Sequence, residues 1–343
     1  MSFEGRKPNL AIVGATGLVG STFRKVLEER RFPYGDVYMM ASAKSAGIKI
    51  DFDGKEYEVE ELTERSFDRP IDIALFSAGG GVSEKFAPIA AENGVIVIDN
   101  SSQWRMDPTV PLIVPEANPD DVKWHKGIIA NPNCSTIQAV VALKPLYDRY
   151  GIKRVVYSTY QAVSGSGLKG IRDLEEGLRG NDIMQAYPHP IAGNVLPHID
   201  VFTDNGYTKE EMKMILETQK ILGDDSLRVT ATTVRVPVRD SHSESINVEL
   251  AKPFGDVNEI RDMFAASPGI VVRDDPGNGV YPLARAAAGT DEVYVGRIRR
   301  DFSVDSGINF WCVADNIRKG AATNAVQIAE LLLRGSFLAP SYR

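Results

Sequence analysis

Apolar and polar positions alternate in blocks through the first third of the chain, in a pattern that predicts βα units. The apolar run Leu10 to Val13 leads into the glycine-rich stretch Gly14 to Gly20, after which apolar residues recur at helical spacing as far as Arg30. Strand-like runs follow, with a helix-like segment between the last two: Val37 to Ala41, Ile71 to Phe76 and Val95 to Ile98, and the helical Phe86 to Ala91. Such alternation favours a parallel sheet.

The pattern changes in the second half of the chain. A helix is predicted over Ser135 to Tyr147, where Ser135 and Gln138 have capping-box spacing. Long β-branched runs then predict an α+β domain with a mixed or antiparallel sheet: Arg154 to Tyr160, Leu227 to Val238 and Ser245 to Leu250. A last helix is predicted over Ala321 to Leu333, with Gly335 just past its end.

Length and composition agree with a two-domain α/β protein. The chain has 343 residues, 43% of them hydrophobic, so it can form packed cores, and about 150 residues per domain suggests two domains. We expect residues 1–133 with the helical segment 321–343 to form one domain, and residues 134–320 the second.

The net charge and the cysteine content limit the classes of partner that we expect. The 39 Lys and Arg residues against 46 Asp and Glu give a net charge of -7, opposite in sign to that of a nucleic-acid binder. No run approaches the roughly 18 apolar residues of a membrane span, and the first apolar stretch lacks the arrangement of a signal peptide. Cys134 and Cys312 are far apart and outside any Cys/His cluster, so we expect no metal or disulfide and a reducing, cytoplasmic compartment. Small molecules or copies of the chain are the expected partners.

Gly14, Gly17 and Gly20 form the pattern G-x-x-G-x-x-G between the first strand and the first helix. This pattern is a variant of the dinucleotide-binding fingerprint. Glycines there let a pyrophosphate approach the backbone at the positive end of the helix dipole, although an ordinary tight turn also explains them. The first domain is therefore predicted to be of Rossmann type.

Two further segments are predicted to face the cofactor. The second strand is followed by Ser42, Lys44 and Ser45, which offer hydroxyls and a cation but no carboxylate, so NADP is favoured over NAD unless Lys44 is only a surface charge. The run Ile71 to Phe76 ends in Ser77 to Gly81, a ligand-facing loop or a flexible surface loop.

Cys134 is the candidate nucleophile. It precedes the predicted capping-box helix, and a helix N-terminus favours the thiolate, whereas Cys312 lies in an apolar run and is predicted to be an inert core residue. Of four histidines, His242 stands at the end of a strand that also brings Arg235, which suits the clamping of a carboxylate; a surface ion pair is the alternative.

Two polar groups of the second domain remain ambiguous from the residues alone. Gln161 ends a strand before the flexible segment Ser164 to Gly167, where it either orients a substrate or is simply exposed. The Glu210–Lys213 and Glu217–Lys220 pairs are seven residues apart and share one helix face, for which solvent exposure is the default interpretation.

Taken together, these motifs resemble the aspartate-β-semialdehyde dehydrogenase family over essentially the whole chain. The matching stretches are Val13 to Gly20, Ser42 to Gly47, Ser77 to Ser83, Asp99 to Asp107, Asn131 to Thr136, Tyr160 to Gly170, Arg235 to Glu244 and Asp315 to Glu330. The resemblance implies a homodimer and a second domain that carries both catalysis and dimerisation.

The resemblance also implies roles for site residues. It makes Cys134 the nucleophile, His242 the acid/base and Arg235 the ligand of the substrate α-carboxylate. It adds Gln161 as an orienting amide, Glu210 for the substrate amino group, and phosphate ligands: Arg105, Asn133 and Lys213. Because Glu217 and Lys220 form a duplicate pair, it stays open whether Glu210 and Lys213 or Glu217 and Lys220 contact the substrate. On the cofactor side it implies contacts from Gly14, Thr16, Gly17, Leu18, Val19, Ser42, Lys44, Ser45, Ser77, Ala78, Gly79, Ser164, Gly165 and Asn324. Lys44 stands where many relatives carry Arg, and Ser166 where Ala is commoner.

The implied activity is NADPH-dependent reductive dephosphorylation of L-aspartyl-4-phosphate to L-aspartate 4-semialdehyde through a cysteine thioester. This step is shared by the biosynthesis of lysine (through diaminopimelate), threonine, methionine and isoleucine. Two alternatives remain: an N-acetyl-γ-glutamyl-phosphate reductase, against which an amine-binding Glu210 argues, and a non-catalytic NADP-sensing protein.

Overall fold

Strands and helices follow one another from Leu10 to Gly335 in a computed structural model that describes residues 6–335. The strands are β1 Leu10–Val13, β2 Val37–Ala41, β3 Lys49–Phe52, β4 Lys55–Glu58, β5 Glu60–Glu61, β6 Ile73–Phe76, β7 Ile96–Asp99, β8 Ile128–Ala130, β9 Ile152–Gln161, β10 Arg228–Arg235, β11 His242–Leu250, β12 Ile270–Val272, β13 Val293–Asp301 and β14 Gly307–Ala314. The α-helices are α1 Leu18–Glu29, α2 Gly80–Glu92, α3 Cys134–Tyr150, α4 Gly167–Leu178, α5 Lys209–Leu222, α6 Val257–Ala266, α7 Ala284–Ala287 and α8 Thr323–Gly335.

The first of two compact units, residues 6–132 and 321–335, is built on a parallel sheet with helices on both faces. Its strand order is β5-β2-β1-β6-β7-β8, and every pairing is parallel. Leu10 and Ile12 face a core formed with α1 and α8, whereas Ala11 and Val13 face a core formed with α2. Both faces are buried, which explains why the strands read as continuous apolar runs. This is the predicted Rossmann-type architecture.

The strand order reverses beside β1, and this reversal creates the ligand crevice of such sheets. β1 pairs with β2 on one side and with β6 on the other. The turns after β1 and β6 therefore meet at one edge, where ligands of open α/β sheets bind. The backbones approach so closely that a Cβ on Gly14 would lie 2.3 Å from the carbonyl oxygen of Ser77.

The second unit, Asn133–Gly320, is built on a mixed sheet. Its order is β10-β9-β11-β14-β13-β12, with parallel pairs at the two edges and antiparallel pairs in the middle. Odd-numbered residues of β9 such as Tyr157 and Gln161 are buried on the face that carries α3 and α5. The other face presents more exposed residues, among them Tyr160. The prediction of an α+β fold with a mixed sheet is confirmed.

Several predicted boundaries were wrong. The helix after β6 starts at Gly80, so the last two residues of the predicted Ser77–Gly81 loop belong to its first turn. β10 ends at Arg235, before Pro237, which has no N–H for a ladder. The last helix begins at Thr323 after a π-helix, Arg318–Ala322, and it includes Gly335. The hairpin β3–β4, β13 and β14 were not predicted. No helix between residues 6 and 335 is long and apolar enough to cross a membrane.

Replacing Gly14 by Ala tests how tightly the crevice is packed. Gly14 has φ +85° in addition to its close approach to Ser77, whereas Gly94, at φ +80°, has no atom within 4 Å of an added Cβ. We expect Gly94→Ala to lower the free energy of unfolding by about 1 kcal/mol through backbone strain, and Gly14→Ala by at least about 3 kcal/mol. Urea unfolding of both variants measures the difference, and equal losses would contradict the packing argument.

Candidate active site

Cys134 is the first residue of α3, and Asn133 caps that helix. The side-chain oxygen of Asn133 accepts the backbone N–H groups of Ser135 at 3.0 Å and Thr136 at 3.2 Å. The predicted Ser135–Gln138 capping box is therefore wrong, because Asn133 already satisfies those N–H groups. The thiol lies at the positive end of the helix dipole, as the sequence predicts. A Cβ on Gly320 would lie 2.9 Å from the Cβ of Cys134, so only glycine fits against the nucleophile.

His242, the first residue of β11, lies against the thiol. Its Nε2 is 3.2 Å from the Sγ of Cys134, and its Nδ1 accepts the backbone N–H of Ala162 at 2.9 Å. Burial, together with the charge of Arg235, lowers the pKa of His242 to about 3. The ring is therefore neutral at pH 7, with its hydrogen on Nε2, because Nδ1 faces a group that can only donate.

A strained residue fixes the position of His242. Ser241 has φ +73°, and its N–H donates to the side-chain oxygen of Asn316 at 2.9 Å. The amide nitrogen of Asn316 donates in turn to the hydroxyl of Ser164 at 3.0 Å. Left-handed backbone at a serine costs of the order of 1 kcal/mol, and the buried bonds to Asn316 hold it there. Sequence reasoning missed Asn316.

Arg235 ends β10 beside the same pair. One of its terminal nitrogens donates to the carbonyl of Ala162 at 2.6 Å, while its Nε is buried without a hydrogen-bond partner among residues 6–335. A Cβ on Gly165 would lie 3.0 Å from this guanidinium. Arg235 also lines a cavity of about 210 Å³ with Ser166, Tyr187, His198 and Asp200. An unsatisfied donor at a cavity is suited to an incoming carboxylate.

Glu210 is buried and fully engaged. Its carboxylate accepts from the amides of Asn133 at 2.9 Å and Gln161 at 3.0 Å, and from Lys213 at 3.1 Å. Burial raises the pKa of this group, but Lys213 and the two amides outweigh burial and lower the pKa to about 2. Lys213 is also bonded to Asp200 at 2.8 Å. The alternative of a solvent-exposed charged face is wrong for Glu210.

Glu217 is buried as well, but in a different role. Its carboxylate accepts the backbone N–H of Asn133 at 2.6 Å. The two glutamates that the sequence could not distinguish therefore hold different parts of one residue: Glu210 the side chain of Asn133, Glu217 its main chain. No signal in the sequence separates them, because both lie on one helix face.

Glu244, two residues after His242 on β11, was missed entirely. Neither of its carboxyl oxygens has a hydrogen-bond partner within the described chain, and burial, reinforced by the charge of Glu210, raises its pKa well above the ordinary value. A buried carboxylate without hydrogen-bond partners is costly, so this environment favours the neutral carboxylic acid.

Of the predicted cofactor residues, Ser164 and Gly165 lie in the second unit, and the others lie in the first unit, several of them around the crevice. Gly14, Ser42 and Ala78 line a cavity of about 360 Å³, whose apolar wall includes Leu62, Val82 and Phe86. The hydroxyls of Thr16 and Ser45 are 3.4 Å apart, which brings the glycine turn and the segment after β2 together. Lys44 is exposed beside them. The apolar wall was missed because Leu62 and the two α2 residues, Val82 and Phe86, come from separate segments of the chain.

The glycine cradle fits a dinucleotide. The helices α1 and α2 both begin at the crevice, after Gly17 and Gly79, and no side chain of theirs provides a cap. A Cβ on Gly20 would lie 2.2 Å from the carbonyl oxygen of Gly14, so the turn can close only around glycine. Two helix N-termini with free N–H groups suit a pyrophosphate.

Two further predicted residues, Arg105 and Asn324, share one network in the first unit. Arg105 donates to the carbonyls of Asn131 at 2.9 Å and Asn100 at 3.0 Å. Asn324 donates to the side-chain oxygen of Asn131 at 2.7 Å. The other predicted catalytic and substrate residues come together within the second unit: Cys134, His242, Gln161, Arg235, Glu210, Lys213 and Asn133.

Family models match both units. Residues 9–125 match "Semialdehyde dehydrogenase, NAD binding domain", and residues 143–319 match "Semialdehyde dehydrogenase, dimerisation domain". The chain is 58% identical to an aspartate-semialdehyde dehydrogenase of Aquifex aeolicus, over 95% of this chain and 98% of the relative.

Solved structures give the same result. The fold is similar to that of aspartate semialdehyde dehydrogenase II of Vibrio cholerae complexed with ASA, with 50% identity, a TM-score of 0.93 and coverage of 96% of this chain and 99% of that one. It is also similar to aspartate semialdehyde dehydrogenase with NADP from Candida albicans, with 26% identity, a TM-score of 0.78 and coverage of 96% and 99%.

Replacing Lys213 by Met tests the electrostatics of Glu210. The pKa of about 2 in the folded state is below the ordinary 4.5, so this carboxylate contributes stability above pH 4.5 that is lost as pH falls toward 2. Without Lys213 the folded-state pKa rises, and we expect the acid loss of stability to begin at higher pH. Urea unfolding between pH 3 and 7 measures this shift. Lys25→Met, which removes an exposed pair with Glu29, is the control and should leave the profile unchanged.

Proposed function

The chain belongs to the aspartate-semialdehyde dehydrogenase family, and we propose that it interconverts L-aspartyl-4-phosphate and L-aspartate 4-semialdehyde with NADP and phosphate. The observation that carries this proposal is the 3.2 Å contact between Cys134 and His242, flanked by an unsatisfied Arg235 and an ionised Glu210. The substrate is an amino acid that reacts at its side chain and carries an α-carboxylate and an α-ammonium group. A nucleophile flanked by a cation and an anion matches these two charges. The reaction is the shared step toward lysine, threonine, methionine and isoleucine.

Arg235 and Glu210 each bind one charged group of the substrate. The guanidinium of Arg235 binds the α-carboxylate, for which its buried Nε supplies an unused donor. Glu210 binds the α-ammonium group, because Lys213 and the two bonded amides keep it a carboxylate throughout the neutral range in spite of its burial. An acetylated nitrogen carries no charge and would leave that carboxylate unmatched, which favours an aspartyl over an N-acetylglutamyl substrate.

Phosphate requires cations close to the reacting carbon. Lys213 provides one within the second unit, where its bond to Asp200 keeps it ordered until an anion arrives. We assign Arg105 and Asn133 to the same role. The amide of Asn133 is bonded to Glu210 through one hydrogen, so its second hydrogen is the one available to phosphate.

NADP is the cofactor, and when bound it supplies or accepts the hydride. The segment Ser42 to Ser45 binds the 2′-phosphate, with Lys44 as its cation, and the turn Thr16 to Val19 presents backbone N–H groups to the pyrophosphate. We place Ser164, Gly165 and Asn324 at the nicotinamide, and Ser77 to Gly79 along the cofactor.

Cys134 performs covalent catalysis. Its thiolate attacks the acyl phosphate, phosphate leaves, and a thioester remains that hydride reduces to a hemithioacetal. Gln161, whose amide is oriented by Glu210 and by the Thr159 hydroxyl, is placed to hold the acyl group. His242 is the residue whose ring nitrogen contacts the sulfur of Cys134 in each of these steps.

We further propose a homodimer located in the cytoplasm. The match to a dimerisation domain and the more exposed sheet face of the second unit support the dimer. On that face Tyr160 and Trp311 lie 5.3 Å apart, centroid to centroid, at the edge of a cavity of about 430 Å³. The dependence of the reaction on a free thiol supports a reducing compartment.

The activity is tested by mixing the purified protein with L-aspartate 4-semialdehyde, phosphate and NADP, and following NADPH formation by absorbance. We expect phosphate-dependent turnover, and a loss of at least about 1,000-fold in Cys134→Ser, because a serine hydroxyl is a far weaker nucleophile at neutral pH. Cys312→Ser removes the buried second thiol and should retain activity. Appreciable turnover by Cys134→Ser would exclude the thioester.

The dimer is tested by light scattering after gel filtration. Trp311 lies opposite Ser245 on the uncovered sheet face, so we expect Trp311→Arg to convert dimers of the wild-type protein into monomers. Leu216→Arg is the control, since Leu216 is on α5 and α5 packs on the opposite face. A monomeric wild-type protein, or dimers unaffected by Trp311→Arg, would contradict the assignment of this face.

A further inference from the structure

We propose that Asp200 sets the affinity of the site for phosphate, because its carboxylate competes with phosphate for the ammonium group of Lys213. The proposal rests on the proposed function, in which Lys213 is a ligand of the phosphate group. It is carried by the ion pair between the Oδ2 of Asp200 and the Nζ of Lys213, which are 2.8 Å apart.

Lys213 lies between two carboxylates. Its Nζ is 3.1 Å from the Oε2 of Glu210 and 2.8 Å from Asp200, so two of its three hydrogens are already donated to anions. Two carboxylates and one ammonium group leave the cluster with a net negative charge. The α-ammonium group of the substrate compensates Glu210 in the proposed function, whereas Asp200 has no such counterpart. The charge of Asp200 therefore opposes a phosphate that approaches Lys213.

The carboxylate of Asp200 is ionised and only partly hydrated. Burial raises the pKa of this group, but the hydrogen bonds from Lys213 and from the backbone N–H of Val201 outweigh burial and lower the pKa. The side chains of Asp200 and Lys213 are 34% and 24% exposed, so an anion from solution can reach the pair. A charge that is partly withdrawn from water acts on a neighbouring anion more strongly than one at the open surface.

The backbone on both sides of Asp200 is anchored. Leu196 exchanges two backbone hydrogen bonds of 2.8 Å with Arg235, and the carbonyl of Val201 accepts the N–H of Lys209, the first residue of α5, at 2.9 Å. Asp200 itself has φ +67°, and its Oδ1 accepts the N–H of Val201 at 2.8 Å. Left-handed backbone is uncommon at residues other than glycine, and it persists where the surroundings fix it. The carboxylate is thus held against the helix that carries Lys213.

The position of Asp200 explains how a strongly charged product can leave. Asp200 and Arg235 line the same cavity of about 210 Å³, so the carboxylate is at a surface that small ligands reach. In the reductive direction phosphate is a product, and the carboxylate returns to Lys213 as phosphate departs. No covalent bond changes in this exchange. One anion replaces another on the same ammonium group.

Replacing Asp200 by Asn tests the competition in steady-state kinetics. Asn tolerates left-handed backbone and keeps an acceptor for the N–H of Val201, so the fold is retained. In the direction of NADPH formation we expect the KM for phosphate to fall about fivefold, because one partly screened negative charge near the phosphate is removed. We expect kcat and the KM for the semialdehyde to stay within about twofold of the wild type.

Asp204→Asn is the matched control, because it removes the same charge from an exposed turn four positions further along and should leave every constant unchanged. A residue that only orders Lys213 would give the opposite result, since its loss would weaken phosphate binding. An unchanged or higher KM for phosphate in Asp200→Asn would therefore overturn the proposal.

Phosphate binding without turnover supplies a second test. The purified proteins are titrated with inorganic phosphate at constant ionic strength, and binding is followed by the rise in melting temperature. We expect Asp200→Asn to bind at about one fifth of the concentration that the wild type requires. A variant that binds phosphate no more tightly than the wild type would contradict the competition. Absence of phosphate-dependent turnover in the wild type would contradict the proposed function instead, while the titration still tests the role of Asp200.

Discussion

The cap of α3 by Asn133 is the interaction on which the polar interior of the second unit depends. The side-chain oxygen of Asn133 satisfies the first turn of the helix, its amide nitrogen binds Glu210, and its main-chain N–H binds Glu217. One residue thus joins the nucleophile's helix to two buried carboxylates on α5. Because the side-chain oxygen, the amide nitrogen and the main-chain N–H of Asn133 are all bonded in a buried site, a change at Asn133 leaves several groups unpaired at once.

The buried ionisable groups near the nucleophile differ in their protonation for two physical reasons. Glu210 is ionised because Lys213 lies beside it, whereas burial raises the pKa of Glu244 and lowers that of His242, and so favours the neutral form of each. Desolvation keeps the neutral groups neutral, and specific pairing keeps the charged groups charged.

Local patterns predicted the parts of the molecule that depend on neighbouring residues. The strand, glycine turn and helix from Leu10 to Glu29 and the start of α3 at the nucleophile are set by short-range periodicity and helix signals. The choice of Asn133 over Ser135 as cap was not predictable, since both residues are good caps and only the contacts of Asn133 decide between them. The separate roles of Glu210 and Glu217 depend on which atoms of Asn133 each one reaches, and the tautomer of His242 depends on a backbone group 80 positions away. These are tertiary facts with no local signature.

The contrast between the two thiols makes the protein a natural candidate for selective covalent labelling. Cys312 is completely buried beside Gln138, while Cys134 is partly exposed at a helix N-terminus. An electrophile in solution therefore meets one accessible thiol, without any need to remove the other cysteine. Because that sulfur lies between a guanidinium and a carboxylate, small zwitterionic electrophiles should react there faster than neutral or bulky reagents of equal intrinsic reactivity.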